Sequence, residues 1–201
     1  MKLVTPPTVE PITVDEAKHQ CRVDGSHDDA YLSALCTVAR EHVEQQTRLA
    51  LMPQTWEQYA DAWPTYRPWS MGGSQFVLKQ WPVVSVVSVT YRTADEIQKT
   101  FDPAAYLLAT GARPARLVLK AGQAWPGDLL SAADPITVRF TAGYESDTLI
   151  PQSIKHAMLL IIGHLYENRE QVVIGAGLAA AKIPFGVDQL LASYRSYRLR
   201  V

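Results

Sequence analysis

Neither sign of charge is in excess in this sequence: 19 lysines and arginines stand against 20 aspartates and glutamates, a formal charge of -1 over 201 residues. That balance excludes the broad basic field through which a protein holds nucleic acid regardless of sequence. Cysteine is scarce as well. Cys21 and Cys36 are the only two, both in or beside helical patterns, so a disulfide framework is excluded and they read as core thiols of a reducing compartment. Long apolar runs are missing: the stretch Ala157 to Gly163 is far short of the roughly 20 residues that cross a bilayer. The opening residues MKLVTPPTVEPIT lack the apolar run and cleavage site of an export signal. The expectation is a soluble, unexported chain with no membrane partner.

Motifs that carry chemistry are lacking too. There is no P-loop, dinucleotide fingerprint, Gly-x-Ser-x-Gly elbow or His-Glu-x-x-His, so the reading is of a protein that is not an enzyme. Asp24-Gly25-Ser26-His27-Asp28 begins like a calcium loop, but the glycine position holds Asp29 and the terminal acid position holds Leu35. His19 and Cys21 supply half of a zinc site with no second pair at a suitable spacing. His164 and Glu167 have the spacing of a di-iron pair in reverse order, without a matching helix. No metal and no cofactor are expected.

What is present is periodicity, and it changes twice. Thr13 and Glu16 have capping-box spacing and open a helix from Val14 to Gln20. Asp24-Gly25 turns the chain. Ser26 then reads as the N-cap of a helix to about Thr47, with Tyr31, Leu32, Leu35, Val38, Ala39, His42, Val43 and Gln46 as its apolar stripe. Pro151 suits the first position of a central helix carrying Ile154, Ala157, Met158, Ile161, Ile162 and Leu165, and a last helix is expected from Val187 to Tyr197. Between them the period falls to 2. Strands are expected over Gln54 to Ala62, Gln75 to Lys79, Val83 to Tyr91, Tyr106 to Leu108, Arg116 to Leu119 and Ile136 to Ala142, punctuated by prolines and glycines at hairpin-like intervals. No stretch between strands offers the helical crossover that a parallel sheet needs. The fold class is α+β, a small helical bundle from both chain ends with an inserted antiparallel β unit. The expected domains are a discontinuous helical one, 1-52 with 148-201, and an inserted β domain, 53-147.

Certain residues recur together in a known order. Ile12-Thr13, Glu16-Ala17-Lys18, Arg22-Val23-Asp24, Asp28-Asp29, Ala39-Arg40-Glu41, Val43-Glu44, Thr47-Arg48 and Gln54-Thr55-Trp56 form a first block, and Tyr166-Glu167-Asn168-Arg169-Glu170 with Pro184-Phe185-Gly186-Val187 a second. This pattern resembles the head-tail connector, or adaptor, proteins of tailed bacteriophages, often described as DNA-packaging proteins. The resemblance implies a structural virion protein that forms a ring, expected to be dodecameric, under the portal, extends the DNA channel and joins capsid to tail. Its implied partners are copies of itself, the portal protein, a tail-side completion protein and passing double-stranded DNA held without sequence specificity. Its implied location is the virion of a phage or prophage, with synthesis and assembly in the bacterial cytoplasm. A near-neutral chain suits a conduit, since a basic lumen would retain DNA.

Such a subunit needs interfaces, and two regions offer candidates. Arg40, Glu41, Glu44 and Arg48 lie along one helix, where alternating charges can serve neighbouring subunits or a solvated face. The other lies beyond Arg169. Gln171 to Lys182 is an apolar, nearly uncharged linker, and ordering its backbone outweighs what burying its few large side chains returns. The linker is expected to be ordered by a partner, making the last helix a docking arm. Ile183, Phe185, Tyr194, Arg195, Tyr197 and Arg198 combine aromatic and arginine anchors of the hot-spot type. A helix that packs on its own bundle is the competing reading. A tail-completion or minor capsid protein is the nearest alternative role. Further alternatives are a single-strand nucleic-acid-binding module using Trp56, Trp63, Trp69, Trp81 and Trp125, and a small hydrolase with an unrecognised site.

Overall fold

The computed structural model describes residues 1–65, 74–169 and 185–195. The chain divides into two compact units, one made of Met1–Pro7 with Pro53–Gly143 and one of Thr8–Met52 with Tyr144–Val201.

In the helical unit, α1 (Val14–Cys21) starts at its capping box. The Glu16 N–H donates to Thr13 Oγ1 at 3.2 Å and the Thr13 N–H donates to Glu16 Oε2 at 2.7 Å, which satisfies two of the helix's free donors. Arg22 ends it in the left-handed region, φ 55°. Gly25, φ 86°, makes the turn to α2 (Asp29–Thr47). The N-cap is Asp28 and not Ser26 as expected, and the Asp28 side chain makes no cap bond. α2 buries Leu32, Leu35, Cys36, Ala39 and Val43, but Val38, placed in the stripe by sequence, is 47% exposed. α3 (Gln152–Glu167) follows Pro151, which occupies the cap and not the first turn. It is the centre of the unit: α1, α2 and α4 (Phe185–Leu191) all pack on it. α4 is shorter than the expected Val187–Tyr197, because Ala192–Tyr194 tighten into a 3₁₀ turn.

The β unit is antiparallel in every ladder. Its five-stranded sheet runs β1 (Lys2–Thr5), β2 (Gln54–Ala60), β8 (Ile136–Ala142), β4 (Val83–Arg92) and β5 (Gln98–Thr100). A three-stranded sheet runs β3 (Gln75–Val77), β7 (Arg116–Leu119) and β6 (Tyr106–Ala109). The expected strands are present, and β1 and β5 are additional. Lys2–Thr5 therefore lie in the sheet and not with the helices, as the range 1-52 had them. The reason is visible in their burial: all four residues are exposed, so β1 is an edge strand with no alternating apolar pattern to announce it.

β8 alternates cleanly, with Ile136, Val138, Phe140 and Ala142 fully buried. Its neighbour β4 does not, and its sequence VVSVVSV explains why. Val83, Val86 and Val89 pair with Ala142, Phe140 and Val138, while Ser85 and Ser88 pair with Thr141 and Arg139. The register shifts between Val83 and Ser85 and again between Val86 and Ser88, so Val84 and Val87 are the extra residues of successive bulges. Both are more than half exposed. The buried Gln58 ties the two sheets: its amide donates to the Val77 carbonyl at 2.8 Å and accepts from the Lys79 N–H at 2.9 Å. A cluster of Trp63, Tyr91, Phe101, Tyr106 and Trp125 completes the unit, with Trp63 stacked on Trp125 at 5.0 Å.

Candidate assembly interface

The charges singled out on α2 part into two sets. Arg40 and Glu44 are 5% and 8% exposed, whereas Glu41 and Arg48 are exposed. Arg40 donates to Glu10 at 2.8 Å and to Glu44 at 2.9 Å, and Thr37 donates to the same Glu10 carboxylate at 2.9 Å. The other oxygen of Glu44 accepts from the Leu51 N–H at 2.8 Å. Thr47 Oγ1 accepts from the Leu49 N–H at 3.2 Å. This clasp explains how Leu49, Ala50 and Leu51 are completely buried outside any helix or strand: side chains of α2 take backbone donors that would otherwise be orphaned. Burial opposes the charge on Arg40, but the bond to Glu10 and the nearby Glu44 outweigh it and hold the guanidinium more firmly protonated. Arg40 and Glu44 are thus engaged within the unit, and the side of α2 left exposed is the opposite one. There Ala34, Val38, Glu41 and Gln45 are all exposed at helical spacing, on one face.

A second cluster fastens the end of α3 to the start of α2. Tyr166 donates to Asp28 at 2.5 Å, Arg169 donates to the same oxygen at 3.2 Å, and the guanidinium lies over the rings of Tyr31 at 4.7 Å and Tyr166 at 4.8 Å. The Tyr166 hydrogen bond, helped by the Arg169 charge, holds the Asp28 carboxyl below its ordinary range. The same bond pushes the Tyr166 phenol up. Asn168 donates to the His164 carbonyl at 2.8 Å and finishes the helix. Asp28 of the calcium-like stretch is therefore committed to a tyrosine and an arginine.

The last helix is also anchored within its unit, against the expectation of a docking arm. Val187 and Leu191 have no exposed surface, Tyr194 is 3.0 Å from Ser153 Oγ, and Arg195 donates to Gln46 at 2.6 Å and pairs with Asp188. Tyr194 and Arg195 hold α4 to α3 and α2. Ile183, Tyr197, Arg198 and the linker Gln171 to Lys182 lie outside the described residues, as does the side chain of Phe185.

Other chemistry finds little footing. Among the described residues no three metal-ligating side chains cluster, and no helix is long and apolar enough to cross a membrane. Burial pushes the Cys36 thiol up to about 11, which makes it inert at neutral pH. Trp63 and Trp125 stack on each other, Trp56 pairs with Phe140 in the sheet, and Trp81 lies under Arg113; Trp69 is outside the described residues. A single-strand platform needs open ring faces. The edges of the five-stranded sheet are blunted: β1 has a lysine, a register shift and the Pro6-Pro7 pair beyond it, and β5 is three residues with a central lysine. Such edges resist strand addition.

Residues 11–68 match the family model of phage gp6-like head-tail connector proteins. No curated protein matches the chain. Among solved structures, it resembles a chain in the neck of an empty GTA particle computed with C6 symmetry, TM-score 0.73 at 22% identity. It also resembles chains in the virion of a native gene transfer agent (GTA) particle, TM-score 0.70 at 23%, and in the neck of a native GTA particle computed with C12 symmetry, 0.66 at 24%. Each alignment covers 99% of this chain and 97% of the other, so the shared fold includes both units. The matched segment contains α1 and α2, with Arg40, Glu44 and Thr47 of the clasp, and continues through β2 of the other unit. Sequence reading missed that Glu10 completes the clasp; its signal was an acid in an otherwise apolar, proline-flanked stretch, VEPI.

Proposed function

We propose that this chain is the adaptor subunit of a head-tail connector: copies close into a ring of twelve beneath the portal, extend the DNA channel and join the capsid to the tail. The observation that carries this reading is the end-to-end fold match to chains of neck structures computed with C6 and C12 symmetry. A match over both units fits a whole subunit better than a borrowed domain. The near-neutral charge suits a passage through which double-stranded DNA moves without being held. Its partners are copies of itself, the portal protein, a tail-side completion protein and DNA bound without sequence specificity. It is made in the host cytoplasm and ends in the virion.

Electron microscopy of particles carrying a tagged chain tests this. Density for a ring of copies between portal and tail is expected, and heads made without the chain should fail to gain tails. A tag seen in the shell assigns a minor capsid role, and one seen beyond the neck a tail-completion role; either overturns the proposal.

A further inference from the structure

The outward face of the three-stranded sheet carries a charge with no acid beside it among the described residues. Register places Val77, Arg116 and Ala109 in one row across β3, β7 and β6, and Gln75, Val118 and Leu107 in the next. Directly paired residues share a face. The alternate residues Phe76 and Leu117 are buried, so the first set faces outward. Val77 is 43% and Leu107 55% exposed. Arg116 sits at the centre, half-buried, with its Nε shut from water and without a hydrogen bond among the described residues. Among the described residues no acidic residue lies in these rows. A partly desolvated guanidinium among aliphatic side chains is at a disadvantage until a carboxylate joins it, and arginine with apolar neighbours is the composition of an interface centre.

The complementary surface is on α2. Val38 and Ala34 supply apolar area, and Glu41, with its side chain 60% exposed, approaches only Arg40, at 3.7 Å. Arg40 is already held by Glu10 and Glu44 at shorter range. The balance of charge agrees: the helical unit has 13 acidic residues against 10 basic, net -3, while the β unit has 9 basic against 7 acidic, net +2. We infer that the outward face of the three-stranded sheet of one copy seats on the outward stripe of α2 of the next, with Arg116 paired to Glu41 and Leu107, Val118 and Val77 against Val38 and Ala34. Two different faces meeting head to tail is the contact that a closed ring requires. The inference rests on the ring reading above. With strands about 4.8 Å apart and same-face residues about 7 Å apart, the patch is much smaller than the roughly 800 Å² per partner of a stable contact. It is the centre of a wider interface, and self-association is concentration-dependent.

The test uses full-length wild type, Arg116→Glu, Glu41→Arg and the double variant R116E/E41R. Sedimentation velocity over a concentration series measures association, microscopy of portal-bearing heads counts bound copies, and thermal melts check the fold. Each single reversal is expected to weaken association roughly tenfold or more, and the double variant to restore it, because opposite charges again meet. Leu107→Arg, at an exposed position, should weaken association without lowering the melt and stands in where a reversal disturbs folding. Rings that form equally well with both single variants and with Leu107→Arg overturn this contact and leave the ring reading intact. Heads on which the wild-type chain forms no ring overturn the ring reading and this contact with it.

Discussion

Replacing Glu44 by alanine tests whether the clasp holds the helical unit together. The substitution removes the acceptor of the buried Leu51 N–H and one of the carboxylates on Arg40. An unsatisfied buried N–H costs about 1–3 kcal/mol. Orphaning a buried charge altogether costs about 3–5 kcal/mol, but Arg40 keeps Glu10, so only part of that applies. The expected loss is about 3 kcal/mol, a large fraction of a domain's stability of about 5–15 kcal/mol. Glu44→Gln keeps an oxygen for Leu51 and should lose about half as much. Glu41→Ala, one position along on the exposed side, should change the stability of the isolated subunit by no more than about 0.5 kcal/mol. Urea unfolding followed by far-ultraviolet circular dichroism reads all of these, with the slope against denaturant as a check that the unfolded state is unchanged. If Glu44→Ala and Glu41→Ala unfold at the same urea concentration, the clasp contributes nothing and its burial is incidental.

Two further outcomes follow from the same unit. Because the Asp28 carboxyl is held below its ordinary range by Tyr166 and Arg169, its stabilisation is present at neutral pH and lost as pH falls through that depressed value. Thermal melts of wild type and Asp28→Asn should differ at neutral pH and converge in acid; parallel curves would remove the cluster from the stability of α2 and α3. Leu191→Ala should destabilise the unit by about 2–5 kcal/mol, since Leu191 has no exposed surface on α4, and unchanged unfolding would return the last helix to the role of a docking arm.

The legible parts of the fold were those whose pattern is local. The capping box Thr13–Glu16 and the β strands around Ile136–Ala142 and Arg116–Leu119 announce themselves because each needs only its own few residues. β1 and β5 were illegible because an exposed edge strand buries nothing and so carries no alternation. The face of α2 was misread at Val38 for a different reason. Arg40 and Glu44 have the chemistry of a surface, and Glu10, thirty residues from Arg40, together with the Leu51 backbone beyond the helix end, makes them interior. The energy argument for a docking arm weighed the linker alone and left out the area that Val187 and Leu191, with no exposed surface, bury within the unit.

The division of labour on α2 bears on where the assembly contacts of such a subunit are to be sought. Arg40 is fully engaged by Glu10 and Glu44, so it cannot also serve a neighbour without opening the unit that it holds. Breaking a buried pair by removing one partner costs more than an exposed pair is worth, about 3–5 against 0–1 kcal/mol. Of the charges singled out on α2, Arg40 and Glu44 are therefore constrained by folding, while Glu41 and Arg48 are not. The opposite side carries no such constraint: Ala34, Val38, Glu41 and Gln45 contribute little to the unit and are exposed along its length. A helix fixed rigidly from behind presents its outer face in one conformation, which reduces the ordering cost of a contact. On the proposed contact, the clasp would preorganise the outer stripe, and Glu44→Ala is expected to weaken self-association in sedimentation velocity although Glu44 lies outside the proposed contact; unchanged association would separate the clasp from assembly.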